Sequence, residues 1–200
     1  MHDPSDPGSE HPLIILLGGP NGAGKSTTAS RLLPLGVTFV NADEIAKGLV
    51  GYPSTGTDLE AGRLVLERLD ELESRRESFA VETTLASRSL APRIARMRCS
   101  GYLFRLIYLW SPHEEFSVQR VAARVRLGGH DIPEETIRRR YRAGLRNSFG
   151  LYLPLADFWE VHDNLTEAGP RLIAQGQVDK APSVRDAAAW AAMRERAGDV

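Results

Sequence analysis

Apolar positions along this chain recur with two periods. Short, nearly unbroken runs read as strands: Leu13-Ile14-Ile15-Leu16-Leu17, Val37-Thr38-Phe39-Val40, Phe79-Ala80-Val81-Glu82-Thr83-Thr84, the β-rich stretch 102–110, and Phe158-Trp159-Glu160-Val161-His162. Arg171-Leu172-Ile173-Ala174 suggests a sixth. Between the runs the period lengthens to that of a helix. Residues 28–33 open a first helix. Residues 57–77 spread Leu59, Val65, Leu66, Leu69 and Leu72 into an imperfect stripe. On its exposed face Arg63/Glu67 and Glu71/Arg75 are opposite charges four apart. A short helix opened by Ser89 or Pro92 reaches Cys99. Ser111 as N-cap, with Pro112 in the first helical position, starts a helix through Phe116, Val118, Val121 and Val125 that stops at Gly128-Gly129. After His130 and Pro133 comes a helix with Ile137, Tyr141, Leu145 and Phe149 on one face. A closing alanine-rich helix spans 182–196. Buried-type strands alternating with helices predict an α/β fold, a parallel sheet flanked by helices.

The connection after the first strand carries the most specific signal. Gly19-Pro20-Asn21-Gly22-Ala23-Gly24-Lys25-Ser26 fits G-x-x-x-x-G-K-[ST], and Thr27 extends it. Strand, glycine loop and helix start stand in the order that phosphate binding requires. Free backbone N–H groups and the helix dipole attract phosphate oxygens. Lys25 is placed to reach the β- and γ-phosphates of ATP, and Ser26 to offer its hydroxyl to Mg2+.

Polar groups at strand ends are the next candidates, because open α/β sheets bind ligands at the carboxyl ends of their strands. The second strand ends at Asn41-Ala42-Asp43, where Asp43 is either a crevice carboxylate or an acidic helix start. The third ends in Glu82, Thr83 and Thr84, followed by Ser87 and Arg88; the plainer reading is local capping by hydroxyls. The fourth lacks a terminal aspartate, so the usual Walker B carboxylate is missing there. Arg120, Arg124 and Arg126 precede the Gly128-Gly129 turn, and Arg138-Arg139-Arg140 follow it. Helix geometry turns Arg139 and Arg146 outward, with Arg138 near the edge of the apolar face and Arg140 flanking it. Two arginine-bearing helices joined by a glycine turn suit a lid over phosphates. His162 reads as structural; His130, in the turn, is open between the two roles.

Composition excludes more than it assigns. The 200 residues carry a net charge of −1, which gives no broad basic footprint for nucleic acid. Cys99 is the only cysteine, read as a core or boundary thiol, and no Cys/His cluster suggests zinc. No apolar run reaches membrane-spanning length. Residues 1–12 read as a loose arm without a signal core, 13–180 as the nucleotide-binding domain with its lid at about 120–148, and 181–200 as a C-terminal helix and tail. The expected location is the cytoplasm.

With residues 19–27, Asn41-Ala42-Asp43, Glu82-Thr83-Thr84, the stretch from Arg124 through Tyr141 and the late Asp163-Asn164 pair in view, the chain resembles the zeta-toxin-like P-loop kinases. The resemblance covers about residues 13–164. It implies a P-loop kinase core with a small helical lid, and ATP-dependent phosphorylation of a hydroxyl on a small metabolite, most characteristically a UDP-N-acetyl sugar. It implies that Asp43 is the catalytic base, that Glu82 and Thr83 contact substrate, and that Arg124 with either Arg138 or Arg140 serves the phosphates. It also raises an antitoxin protein as a partner. In the mechanism read from the residues, Thr83, Thr84 and Ser87 orient the acceptor and Arg88 meets an anionic part of it. The alternatives are a switch ATPase acting through a protein partner and a kinase of nucleic-acid ends. Neither a Leu-Ser-Gly-Gly-Gln signature nor a basic surface speaks for them.

Overall fold

Six consecutive residues without a charge, Leu13 to Gly18, are all buried, and this strand lies inside the sheet with a neighbour on each side. The structure, a computed structural model, describes residues 11–41, 57–129, 131–166 and 168–198, with the backbone alone for 57–61. In chain order the elements are β1 (Leu13–Gly18), α1 (Lys25–Leu32), β2 (Thr38–Val40), α2 (Thr57–Ser74), β3 (Phe79–Thr83), α3 (Leu90–Cys99), β4 (Leu103–Trp110), α4 (Glu114–Arg126), α5 (Glu134–Asn147), β5 (Phe158–Asp163), β6 (Arg171–Gln177), β7 (Ser183–Val184) and α6 (Ala187–Gly198). Helix α5 runs on through a π-helical turn, Ser148–Tyr152, and a last turn, Leu153–Leu155.

The strands form one sheet in the order β2-β3-β1-β4-β5-β6-β7. Strands β1 to β5 pair in parallel, and β6 and β7 are antiparallel. The expected parallel sheet with flanking helices is there in β1 to β5, and the antiparallel β6 and β7 make the whole sheet mostly parallel. Alternation along β1 serves two cores, as a sheet covered on both faces requires. Ile14 and Leu16 join a larger core with Leu69 and Leu72 of α2, Ile94 and Met97 of α3, Tyr141 and Leu145 of α5, and Met193 of α6. Leu13, Ile15 and Leu17 join a smaller one with Ala29 of α1.

Several local expectations are corrected. Helix α4 begins at Glu114 with His113 as an extended N-cap, because the Ser111 hydroxyl donates to the His113 carbonyl (3.2 Å) instead of capping a helix from Pro112. Residues 183–184 form β7, and α6 starts after it, with the Asp186 carboxylate accepting from the Ala189 N–H (2.9 Å). Cys99, at the end of α3, is exposed. Arg63 and Glu67 pair at 3.3 Å, but Glu71 pairs with Arg68 (2.7 Å) and Arg75 faces Glu77 (3.9 Å). His162 is buried, 2.9 Å from the Glu160 carboxylate on the same strand. The greater part of the N-terminal arm, the turn at 51–56, Asp43 and His130 lie outside the described residues. No helix among the described residues is long and apolar enough to cross a membrane.

The C-terminal helix packs into the main core. Met193 is fully buried, and Trp190 stacks on Trp159 of β5 with ring centroids 5.4 Å apart. Met193→Ala should therefore destabilise the fold by about 2–5 kcal/mol, the usual cost of emptying such a site. Urea unfolding followed by tryptophan fluorescence measures it. A loss under about 1 kcal/mol would mark α6 as an appendage.

Candidate active site

The site forms where β1, β3 and β4 end along one edge. The loop 19–24 leaves β1 there and enters α1 directly. Gly24, the residue before the helix, sits at φ 84°, a left-handed conformation that favours glycine. A side chain at Gly24 would also collide with the Asn164 amide. Lys25 is only 6% exposed, so its ammonium must find oxygen within the protein. It donates to the carbonyls of Gly19 (2.9 Å) and Pro20 (3.0 Å) and lies 3.8 Å from the Glu82 carboxylate.

Glu82 is the pivot of the neighbouring cluster. Parallel pairing sets it beside Leu17, one residue before the end of β1. From there its Oε2 accepts the Ser26 hydroxyl at 2.7 Å and the Asn41 amide at 3.0 Å. Asn41 Nδ2 also lies 3.4 Å from Ser26 Oγ. A carboxylate therefore stands beside the P-loop serine from β3, the partner of β1 on its other side, whereas β4 ends in Trp110. A hydroxyl and a carboxylate side by side are hard oxygen donors, the kind Mg2+ takes, and they fit such an ion. Among the described residues no group of three or more His, Cys, Asp or Glu gathers at one point. Mg2+ is commonly held by one or two carboxylates together with substrate phosphates and water.

Beyond Glu82 come the residues expected from the sequence to meet the acceptor. Thr83 and Thr84 are half-buried, whereas Ser87 and Arg88 are exposed. The hydroxyl of Thr83 accepts from the Leu85 N–H (3.1 Å) and that of Thr84 from the Ala86 N–H (3.4 Å). Both therefore do the local work that the plainer reading assigned to them. Each keeps its own hydroxyl hydrogen to donate.

Helix α4 and the loop after β5 close on the P-loop from the other side. Arg120 donates to the carbonyls of Asn164 (2.8 Å) and Gly22 (3.3 Å), and its guanidinium lies 5.0 Å from the centre of the Phe116 ring. Asn164 donates to the Ala23 carbonyl (3.2 Å). Arg120 did not stand out as a site residue. The available signal was its spacing: it precedes Arg124 by four, one face of α4, while Arg126 is exposed. Arg124 is half-buried, packed against Gly129.

The run Arg138-Arg139-Arg140 splits. Arg139 is exposed, as is Arg146, and Arg140 is half-buried. Arg138 is held by three carboxylates, Glu114 (3.1 Å), Glu115 (2.6 Å) and Glu134 (2.6 Å), which raise its pKa further. Arg142 joins them through Glu114 (2.7 Å). The acidic first turns of α4 and α5, each suited to its helix dipole, hold these arginines in ion pairs. Arg138 is thus bound into the junction between α4 and α5.

Residues 14–145 match the family model described as AAA domain. An uncharacterized protein of Haemophilus influenzae is 29% identical over 123 residues, 62% of this chain and 88% of that protein. Among solved structures, the AvrRxo1-ORF1:AvrRxo1-ORF2 complex is similar in its form with sulphate ions (TM-score 0.68, 16% identity) and in its form with ATP (TM-score 0.67, 17% identity). Each alignment covers 93% of this chain but only 64% of that chain, so this chain spans less than two thirds of that protein's length. A structure from the PezAT toxin-antitoxin system of Streptococcus pneumoniae aligns with a TM-score of 0.62 at 16% identity, over 96% of this chain and 88% of that one. At these identities the likeness is one of fold, a P-loop kinase-like core.

The Glu114 network has a pH signature. The Arg142 hydrogen bond, helped by that from Arg138 and opposed by burial, holds the Glu114 carboxyl below its usual range. Its folded pKa is lowered, so its stabilisation is present above the unfolded value of about 4.3 and is lost as pH falls through the folded value. The difference in Tm between the wild-type chain and Glu114→Gln should be present at pH 7 and shrink as pH drops below about 4.3. A difference that stays constant from pH 7 to pH 3 would contradict this coupling.

Proposed function

We propose that this chain, which belongs to the AAA domain family, is an ATP-dependent kinase that transfers the γ-phosphate to a hydroxyl of a small metabolite. The observation that carries the reading is the contact between Ser26 and Glu82 (2.7 Å) beside the buried ammonium of Lys25, at the mouth of the P-loop. Phosphoryl transfer depends on positioning and charge neutralisation more than on covalent chemistry by the protein. The backbone N–H groups of 19–27 and the Lys25 ammonium would hold the ATP phosphates. Ser26 and Glu82 would hold Mg2+, which when bound offsets charge on the phosphate oxygens. Asp43 would accept the proton of the attacking hydroxyl, a role that rests on the sequence. Arg124 and Arg140 would meet developing charge on the transferred group. Arg140 is the better of the two α5 candidates, because Arg138 already faces three carboxylates. Thr83, Thr84 and Ser87 would orient the acceptor, and Arg88 its anionic part.

The acceptor class we favour is a UDP-activated amino sugar or a related nucleotide-containing compound. Three hydroxyl-bearing residues, Thr83, Thr84 and Ser87, followed by the exposed Arg88, suit a sugar attached to a diphosphate. An antitoxin protein is the partner we favour; the fold neighbour from the PezAT system belongs to a toxin-antitoxin pair. Such a kinase would work in the cytoplasm, where ATP and nucleotide sugars are held.

The test incubates the full chain with ATP, Mg2+ and either UDP-N-acetylglucosamine or a metabolite extract, then identifies by mass spectrometry which compound gains a phosphate. ATP consumption with no phosphorylated acceptor would contradict the kinase reading. Lys25→Ala should abolish ATP binding and leave the circular-dichroism spectrum unchanged. Asp43→Asn should keep ATP affinity and lower transfer by ~10²-fold or more. Wild-type turnover in the Asp43 variant would leave Asp43 as a helix start only.

A further inference from the structure

The segment 84–89 that follows β3 is held mainly by side chains. Its own amides bond within the loop: Leu85 N–H to Thr83 Oγ1, Ala86 N–H to Thr84 Oγ1 (3.4 Å), and Ser89 N–H to Ser87 Oγ (3.1 Å). Leu85 stands at φ 58°, where leucine is rare and costs free energy. It is fully buried, seated so close to Gly18 that a methyl added there would lie 2.8 Å from Leu85 Cδ1. A strained residue of this kind persists only where its surroundings over-determine it.

Helix α5 and its extension supply those surroundings. Asn147, buried, donates its amide to the carbonyls of Leu85 (2.8 Å) and Ala86 (3.2 Å). The Tyr152 hydroxyl donates to the Ser87 carbonyl (2.9 Å), and burial pushes its pKa up to about 12. Gly144 lies against the Thr84 carbonyl so closely that any Cβ would collide. The π-helical turn explains how one helix does this. In a regular α-helix residues five apart point about 140° away from each other. Winding with i→i+5 bonds brings them much closer to one face. Asn147 and Tyr152 are five apart, at the two ends of the Ser148–Tyr152 turn, and both reach the same loop.

We infer that Asn147 is a positioning residue for the phosphate acceptor. With Tyr152 and Gly144 it fixes the shape of 84–87, so that the hydroxyls of Thr83, Thr84 and Ser87 stand where an acceptor meets them. It also makes the acceptor loop and the lid helix α5 one mechanical unit. The inference rests on the kinase reading for its functional meaning, while the clamp itself is tested without it.

The test uses full-length Asn147→Asp, which replaces a donor by an acceptor facing two carbonyls, and Tyr152→Phe, which removes one hydroxyl and preserves the packing. Hydrogen exchange across 84–89 should accelerate by ~10-fold or more in Asn147→Asp and by a smaller factor in Tyr152→Phe, with 19–27 unchanged. The ATP dissociation constant should stay within about 2-fold of wild type, while KM for UDP-N-acetylglucosamine, the acceptor probe, rises by ~10-fold with kcat less affected. Unchanged exchange in 84–89, or faster exchange spread evenly over the whole chain, would overturn the clamp. An equal rise of KM for ATP and for the acceptor would overturn the positioning role. If the wild type phosphorylates neither the probe nor any compound in an extract, the kinase reading fails instead. The exchange result then decides the clamp alone: acceleration confined to 84–89 sustains it.

Discussion

A buried ammonium demands oxygen, and the architecture of this crevice follows from meeting that demand at Lys25. Two carbonyls of the P-loop and the Glu82 carboxylate answer it. Glu82 in turn is fixed by the register of β3 against β1 and by hydrogen bonds from Ser26 and Asn41. One carboxylate therefore links the lysine, the serine and two strands. Such a network is strong only while every member is satisfied, so each contact constrains the next.

The same economy extends outward. The P-loop is gripped on its far side by Arg120 and Asn164, which join α4 and the end of β5 to the backbone of residues 22–23. The segment after β3 is gripped by α5 through Asn147 and Tyr152. Helices α4 and α5 are tied to each other through Glu114, Arg138 and Arg142. The P-loop, the segment after β3 and helices α4 and α5 are thus joined by hydrogen bonds from a few side chains, on a sheet whose two apolar cores hold the strand ends in place.

The sequence carried the sheet well, because β1 and β4 are long apolar runs bounded by turn residues, and a strand buried on both faces leaves that mark. It carried the P-loop better still, since glycine spacing, lysine and hydroxyl all lie within eight adjacent positions. What lay hidden depends on which distant residues meet. Glu82 was visible as a crevice carboxylate, but its place beside Ser26 follows from β3 pairing with β1, and spacing along the chain says nothing of pairing. Arg138 looked available to phosphates because the acidic turns that hold it are partly from another helix. The start of α4 was misplaced by two residues because Ser111 has a nearer carbonyl to bond. The π-helical turn left no periodic signature in five residues, yet it aims Asn147 and Tyr152 at one loop.

In the proposed function Ser26 and Glu82 form the metal side of a nucleotide-phosphate site built around Lys25. The most direct measurement is the affinity for ATP with and without Mg2+, by titration calorimetry, in the wild type and in Glu82→Gln. Mg2+ should strengthen ATP binding by ~10-fold or more in the wild type, and Glu82→Gln should lose most of this gain while still binding metal-free ATP. The same Mg2+ gain in both proteins would contradict it.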